Sequence, residues 1–328
     1  MNNKYNYGES ICQGFRYLLK NYPEVFCIGQ GLWSPWYVGN TMKDLEIDFG
    51  KDRIIDSPVS ELGCTGAALG ASLSGYRPII IHPRIDFFLL GVDQLVNQAA
   101  KWRHMFGGEE SAPITVRAVI NRGGEQGAQH SQALHSWFAH IPGLRVVMPA
   151  TPMDARDLLI SSVLCDDPVL YIDDRWLYEE EEYDSEIIER PLKEIGPLIR
   201  KEGNDITIVA SSYSVKLAMD AASILEKENI ICEVIDLRVI NPLDLSLVIK
   251  SVSRTGRLVA IDGGWTNCGL AGEILAGVAQ SHAFNSLVKS PQRITIVDSP
   301  APTSGPLEAI YYPNVESVCS KIREQVLS

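Results

Sequence analysis

The chain has 328 residues, of which 45% are hydrophobic and 21% charged, and its formal net charge is −12. This length is usual for two domains, and the composition excludes collagen, low-complexity disorder and a coiled coil. The acidic balance argues against nucleic acids and anionic membranes as main partners, because both are bound by clustered Lys and Arg.

The cysteine pattern and the N-terminal sequence indicate the cellular compartment of the protein. The seven cysteines are scattered, odd in number and form no CxxC pair, which is typical of reduced thiols in the cytoplasm. The N-terminal sequence MNNKYNYGES lacks the apolar region of a signal peptide. No apolar run approaches the roughly 20 residues of a membrane span, so we expect a cytoplasmic protein.

The first part of the chain alternates Val- and Ile-rich runs with helical patterns. Strands are predicted at 25–29, 53–56, 78–82, 114–120, 144–148 and 168–172. Helices are predicted at 8–20, 61–74, 88–106, 131–140 and 152–165. Continuous apolar strands that alternate with helices are typical of a parallel sheet covered on both faces.

An acidic run, EEEEYD at 179–184, interrupts this pattern and predicts a solvated connector. A second block follows, with strands predicted at 206–210, 231–236, 257–261 and 293–297 and helices at 213–228, 242–252, 269–281 and 315–326. Asn241-Pro242 resembles a cap followed by proline at the first helical position. The sequence therefore predicts an α/β protein with two domains, 1–190 and 200–328, each a mostly parallel sheet with helices on both faces.

The helix predicted to begin at Glu61 is built from very small residues. Glycine costs about 1 kcal/mol per helical position relative to alanine. The glycines at 63, 66 and 70 therefore indicate that a backbone or a ligand comes close. Glu61 has two interpretations, a first-turn carboxylate favoured by the helix dipole or a functional acid.

A glycine-broken loop delivers His130 directly after a predicted strand, at the sheet edge where ligands bind in parallel sheets. His130 is therefore a candidate for proton transfer, although a packing role stays open. Five-residue spacing turns His135 and His140 by about 140° per step, so these histidines share no helix face and predict no metal cluster. His135 and His140 are interpreted as packing or surface residues.

Several segments, in order along nearly the whole chain, resemble the β subunit of the E1 component of 2-oxo acid dehydrogenases of the pyruvate, branched-chain and acetoin types. They are KDRIIDSPVSELGCTGAALGASLSGYRP at 51–78, VDQLVNQAAK at 92–101, GAQHSQALHSWFAHIPGLRVVMPATPMDA at 127–155, VIDLRVINPLD at 234–244, AIDGGW at 260–265 and DSPAPTSGPLE at 298–308. The resemblance implies a thiamine diphosphate pyrimidine-binding domain followed by a transketolase C-terminal-like domain that serves assembly.

The resemblance also implies an enzyme that decarboxylates a 2-oxo acid and passes the acyl group to an acceptor such as lipoamide. Glu61 matches the carboxylate that hydrogen-bonds to N1′ of the aminopyrimidine and activates the cofactor. Phe87 matches the aromatic residue packed against that ring, with a core phenylalanine as the alternative. His130 matches a histidine near the thiazolium that assists substrate binding or acyl transfer.

Two further sets of residues are weaker candidates. Arg84 is unexpected beside the cofactor, and it either binds a substrate carboxylate or phosphate or pairs with Asp86. Some relatives hold a monovalent cation such as K⁺ through backbone carbonyls, and the matching positions here are Ile114, Ser162, Cys165 and Asp167.

The sequence contains no Gly-Asp-Gly. In the family a GDG…N motif on the α subunit holds the diphosphate and its Mg²⁺, so the resemblance implies an α₂β₂ assembly with such a subunit and a lipoyl acyltransferase E2 as a further partner. Two alternatives stay open: half of a split transketolase-like carboligase, and a non-catalytic partner subunit.

Overall fold

The computed structural model of the chain describes residues 3–34 and 36–327. Its contacts divide the chain into two compact units. Unit 1 comprises the residues up to Asn121 together with Trp137–Ile195, and unit 2 comprises Arg122–Ser136 and the residues from Gly196 onward. The loop at 122–136, which the sequence analysis placed in the first domain, therefore packs with unit 2, where its hydrogen bonds are made.

The strands of unit 1 match the apolar runs closely. They are β1 (Lys4–Asn6), β2 (Val25–Gly29), β3 (Ile54–Asp56), β4 (Arg77–His82), β5 (Thr115–Ile120), β6 (Arg145–Val147), β7 (Val169–Asp174) and β8 (Glu181–Tyr183). Within unit 1 the main sheet has the order β6-β7-β5-β4-β2-β3, and each neighbouring pair is parallel. All six residues of β5 are buried, as expected for a central strand covered on both faces, and its charged residue Arg117 is paired within the core.

The helices up to residue 163 are α1 (Tyr7–Asn21), α2 (Leu45–Phe49), α3 (Glu61–Ser72), α4 (Ile85–Phe88), α5 (Ala100–Met105), α6 (His135–Ala139) and α7 (Pro152–Val163). Capping residues determine where two of these helices begin. Asn6 and Glu9 form a capping box at the start of α1, and the Thr151 side chain caps α7 just before Pro152.

The stretch predicted as one helix at 88–106 is helical up to Met105 but is not a regular α-helix, because a 3₁₀ turn at Leu89–Gly91 and a π-helix at Gln94–Ala99 separate α4 from α5. Close packing against α3 explains the interruption. A Cβ atom at Gly91 would lie 2.7 Å from Oγ1 of Thr65, so the chain approaches α3 more closely than a side chain would permit.

The acidic run is not a free connector. Its residues form β8, which pairs antiparallel with β1, and Lys4 lies 3.6 Å from Glu181. The Glu182 carboxylate accepts a hydrogen bond of 3.0 Å from the Met153 amide at the start of α7. Such a carboxylate satisfies an N–H group that has no partner within the helix and complements the helix dipole.

One charged pair lies in the core of unit 1 and connects β5 with β7. Arg117 donates from Nε and Nη2 to the two carboxylate oxygens of Asp173, at 2.9 and 2.8 Å, and both side chains are buried. Arg117 Nη1 also donates to Thr41 Oγ1 at 2.7 Å. The pair therefore attaches the loop that follows β2 to the middle of the sheet.

Unit 2 contains strands β9 (Leu198–Lys201), β10 (Ile206–Ala210), β11 (Cys232–Asp236), β12 (Val239–Asn241), β13 (Leu258–Trp265) and β14 (Gln292–Ile296). Its five-stranded sheet has the order β14-β13-β10-β11-β9, parallel except for the antiparallel edge strand β9. Its remaining helices are α8 (Tyr213–Glu226), α9 (Ser246–Thr255), α10 (Leu270–Ala279), α11 (Gly305–Tyr311) and α12 (Val315–Leu327). The predicted fold class, two α/β units with mostly parallel sheets, is confirmed.

The predicted start of a helix at Pro242 is wrong. Strand β12 continues to Asn241, and α9 begins only at Ser246, whose amide donates to the Asp244 carboxylate at 2.8 Å. Within the described residues no helix is long and apolar enough to cross a membrane.

Candidate active site

The carboxyl edge of the unit 1 sheet collects polar groups from several strands. Strands β2, β3 and β4 end there at Gly29, Asp56 and His82, and the Asp56 carboxylate accepts a hydrogen bond of 2.7 Å from the Gly31 amide. In open parallel sheets this edge is where ligands bind. A cleft opens here, lined by Gly29, Gln30, Ser57, Pro58, Ser60, Glu61, Cys64, Ile80, Ile81, His82 and Pro83.

Glu61 is the first residue of α3 and lines this cleft. Its side chain is half-buried and makes no hydrogen bond or ion pair with another described residue. The positive end of the helix dipole favours a negative charge at this position. The structure therefore presents a carboxylate whose oxygens are available to a ligand within the cleft.

The small residues of α3 divide between two faces. Thr65, Ala68, Leu69 and Ser72 are buried at helical spacing, whereas Gly63, Ala67 and Gly70 are exposed. A Cβ atom at Gly70 would meet nothing within 4 Å. Gly70 is therefore not required by packing within unit 1, and the predicted approach of another molecule to this helix stays a prediction.

His82 lines the same cleft and was not singled out by the sequence. It is 3% exposed, its Nε2 lies 3.3 Å from Thr65 Oγ1, and its ring centroid lies 4.9 Å from that of Phe88. Burial lowers the pKa of His82 from 6.5 to about 3, so the imidazole is neutral. The only sequence signal was a polar residue at the end of the apolar run PIIIH.

Phe87 and Phe88 occupy different environments in α4. Phe88 is buried and stacks on Phe138 with ring centroids 5.4 Å apart, whereas Phe87 is half-buried. The core alternative therefore describes Phe88 better than Phe87, and the role of Phe87 beside a ligand stays a prediction.

Arg84 directly precedes α4 and is half-buried. Its pKa is lowered by burial and by the positive charge of Arg175, against the opposing effect of Asp86. Since Arg175 follows β7, two guanidinium groups from the carboxyl edge of the sheet lie close enough to repel each other. Neighbouring guanidinium groups of this kind favour an anion between them.

His130 is half-buried within the loop of unit 2, and its amide donates to the Gly127 carbonyl at 3.4 Å. His135, five residues later, is not a simple packing residue. It is buried, and its Nε2 lies 2.8 Å from Oδ1 of Asp262 on β13. His140 is exposed, as expected. Within the described part of the chain, no group of three or more acidic, histidine and cysteine side chains is arranged to hold a metal ion.

The carbonyls considered for a monovalent cation already accept hydrogen bonds. Ile114 accepts from the Val169 amide at 3.0 Å, Ser162 from Thr115 Oγ1 at 3.3 Å, and Cys165 from Arg77 Nη1 at 3.0 Å. The Ser162 carbonyl also accepts from the Cys165 amide at 3.3 Å, so both of its lone pairs are used, whereas the carbonyls of Ile114 and Cys165 keep a second lone pair. The cation site stays a prediction, and the Asp167 carboxylate, which pairs with Arg103 and Arg145, contributes no charge to it.

The two α/β units and the cleft define a chain of the transketolase type. Residues 3–180 match the family model described as transketolase, pyrimidine binding domain, and residues 197–318 match the one described as transketolase, C-terminal domain.

Comparison with curated relatives identifies the family of the chain within the transketolase type. The chain is 40% identical to the β subunit of acetoin:2,6-dichlorophenolindophenol oxidoreductase of Cupriavidus necator, over 83% of this chain and 80% of the relative. It is 36% identical to the pyruvate dehydrogenase E1 component subunit beta of Rickettsia bellii, over 92% of each chain, and 36% identical to the mitochondrial one of Bos taurus, over 96% and 89%. The chain belongs to the family of transketolase-like E1 β subunits.

A solved structure shows the same fold. It is described as a split gene transketolase, inactive beta4 tetramer, and it superposes with a TM-score of 0.73 over 98% of each chain at 19% identity. The predicted resemblance is therefore confirmed, whereas the roles of the individual site residues stay predictions.

Proposed function

We propose that this chain is the catalytic β subunit of a thiamine diphosphate-dependent 2-oxo acid dehydrogenase E1 enzyme. It would decarboxylate a 2-oxo acid and pass the acyl group to an acceptor such as lipoamide. The observation that carries this proposal is Glu61, a carboxylate without a partner among the described residues, at the first position of α3 in a cleft at the sheet edge. The acetoin and pyruvate enzymes among the relatives support this reaction class.

A carboxylate beside apolar side chains suits the aminopyrimidine half of the cofactor. When bound, thiamine diphosphate supplies an acidic thiazolium carbon and an electron sink for decarboxylation. Glu61 would hold a proton at N1′ of the aminopyrimidine, and the Phe87 ring would pack against it. The neutral, buried His82 adds no competing charge beside Glu61.

Arg84 and His130 would act on the substrate. Arg84, supported by the nearby Arg175, would bind the carboxylate of the 2-oxo acid through its planar set of donors. His130 would donate a proton to the substrate carboxylate or to a lipoyl sulfur. Proton transfer of this kind is typically worth about 10²- to 10⁴-fold in rate.

The diphosphate and Mg²⁺ would be held by an α subunit with a GDG…N motif, since the sequence given contains no Gly-Asp-Gly. An α₂β₂ assembly with a lipoyl acyltransferase E2 as acceptor partner follows from this proposal. K⁺ is a candidate structural ion at the carbonyls of Ile114, Ser162, Cys165 and Asp167. Seven cysteines without disulfides fit an enzyme of the cytoplasm.

The test uses the chain assembled with a GDG-bearing α subunit, Mg²⁺ and thiamine diphosphate. Exchange of the thiazolium C2 proton is followed by NMR, and turnover is measured with a panel of 2-oxo acids. Glu61→Gln should abolish most of the exchange, because glutamine keeps the shape but loses the charge, while the complex still assembles. Glu109→Gln, at an exposed position, is the matched control. Near-normal exchange in Glu61→Gln would refute the activating role, and turnover with aldehyde acceptors alone would favour the carboligase.

A further inference from the structure

The loop Arg122–Ser136, called here the His130 loop, is fastened at both ends to three consecutive residues of β13. At its beginning, Arg122 Nη1 donates to the Gly263 carbonyl at 2.9 Å. At its end, His135 Nε2 lies 2.8 Å from the Asp262 carboxylate. The segment Asp262–Gly264, called here the clamp, therefore fixes both ends of the loop within unit 2.

The two glycines of the clamp allow a close approach of the loop. A Cβ atom at Gly263 would lie 2.7 Å from Arg122 Nη1, and one at Gly264 would lie 3.1 Å from Cε1 of His135. A side chain at Gly263 would therefore displace the end of the Arg122 side chain, and one at Gly264 would shift the His135 imidazole slightly. This accounts for the Gly-Gly pair in AIDGGW, which the sequence analysis had left without a role.

Asp262 is held as a carboxylate. Its Oδ1 also accepts from the Gly264 amide at 2.8 Å, and its Oδ2 accepts from the Ala271 amide at 3.1 Å, at the start of α10. Burial raises the pKa of Asp262, but His135 and these two amides lower it more, so the net pKa is below its usual value. Since an ionised carboxylate only accepts, the His135 imidazole must be the donor.

The loop is also held between its ends. The Glu125 carboxylate accepts from the Gly305 amide at 2.5 Å, and the Glu125 amide donates to the Glu308 carboxylate at 3.0 Å. Just after His135, Ser136 Oγ accepts from the Leu270 amide at 3.0 Å. His130 therefore lies in the middle of the nine residues, 126–134, between two fixed points, Glu125 and His135.

We propose that the clamp sets the position of His130, so that Arg122 and His135 are positioning residues for the acceptor-dependent step. This inference rests on the proposed function, in which His130 assists acyl transfer. It gives unit 2 a part in the chemistry, whereas the sequence analysis expected this domain to serve assembly alone. Displacement of a reacting group by about 1 Å from a distant mutation can cost on the order of 10²-fold in rate.

The test is a double-mutant cycle in the assembled holoenzyme, with turnover and thiazolium C2 exchange as readouts. His135→Leu should lower the acceptor-dependent kcat about ten- to a hundred-fold, with the KM for the 2-oxo acid and C2 exchange unchanged. His135→Gln should recover most of the loss, because its amide can donate to Asp262. His140→Leu, at an exposed position, is the matched control.

The double-mutant cycle that combines His135→Leu with His130→Ala distinguishes a failure of this inference from a failure of the proposed function. The double variant His130→Ala with His135→Leu should turn over no more slowly than His130→Ala alone, because a misplaced His130 and a missing one are equivalent. Additive losses would overturn the positioning role and leave the proposed function intact. A fully active His130→Ala would overturn both. If His135→Leu does not fold, Gly263→Ala, which displaces the end of the Arg122 side chain, tests the other end of the clamp by the same cycle.

Discussion

Burial of His82 predicts a specific loss of stability in mild acid. The pKa of His82 is lowered to about 3 by burial, against 6.5 in an unfolded chain. The folded state therefore disfavours the proton, and the stability is fully present above pH 6.5 and is lost as the pH falls from 6.5 towards 3. Each pKa unit corresponds to 1.36 kcal/mol, so at pH 5 the loss from this one residue is about 2 kcal/mol.

The perturbation that isolates this effect is His82→Phe. Phenylalanine has a similar shape and can keep the ring contact with Phe88, but it binds no proton. We expect the unfolding free energy of the wild type to fall by about 2 kcal/mol more between pH 7 and pH 5 than that of His82→Phe. All other titrating groups are common to both proteins and cancel in this difference.

The assay is urea unfolding at pH 7, 6 and 5, with linear extrapolation at each pH. His104→Phe, which removes an exposed imidazole, is the control and should keep the pH dependence of the wild type. Parallel stability curves for the wild type and His82→Phe would refute the argument, because they would show that the folded protein accepts a proton on His82 as readily as the unfolded chain.

Three further outcomes are expected. Asp173→Ala should lower the free energy of unfolding, measured in urea, by about 3–5 kcal/mol, because it leaves the Arg117 charge buried without its partner. Arg16→Ala, which removes an exposed ion pair, should lower it by less than about 1 kcal/mol. Calorimetry should show that the chain alone binds thiamine diphosphate weakly or not at all, and that a GDG-bearing α subunit with Mg²⁺ restores binding; micromolar affinity of the chain alone would contradict this. Arg84→Leu should raise the KM for the 2-oxo acid about ten- to a hundred-fold with C2 exchange unchanged, as expected when a charge-assisted hydrogen bond of about 1.5–3 kcal/mol is lost, and an unchanged KM would assign Arg84 to packing.

The strands were predictable because burial on both faces leaves a continuous apolar run. Strands β2 and β10 begin and end where the runs at 25–29 and 206–210 do. The start of α3 was also predictable, since a strand, a turn and a run of small residues all lie within one short stretch around Glu61. In each case the determining forces act between neighbours in sequence.

The errors arose where a distant residue decided the local structure. The interruption of the helix at Gly91 depends on Thr65, and the strand formed by the acidic run depends on pairing with Lys4–Asn6 at the other end of the chain segment. Charge and periodicity indicate which structure a segment favours by itself. They give no information on the distant residues that a glycine or an edge strand will contact.

The same reasoning explains what sequence could and could not say about the candidate site. Glu61 and Phe87 were found because their neighbours carry the resemblance. The contact of His135 with Asp262 joins residues 127 positions apart, and neither residue lies in a pattern that would single it out. The spacing of the three histidines predicted no metal cluster, and this interpretation drew attention away from His135 as a member of a pair.

The location of the His130 loop changes where functional substitutions should be sought. A loop that leaves β5 but is held by Asp262, Gly263 and Glu308 transmits changes in unit 2 directly to His130. A methyl group added at Gly263 must displace the charged end of the Arg122 side chain. Glu61, Phe87 and Arg84, which we propose to bind cofactor and substrate, lie in unit 1 and would be unaffected by such a change. Variation at β13 and α10 is therefore expected to alter acyl transfer independently of cofactor activation, although these elements belong to the domain that the resemblance assigns to assembly.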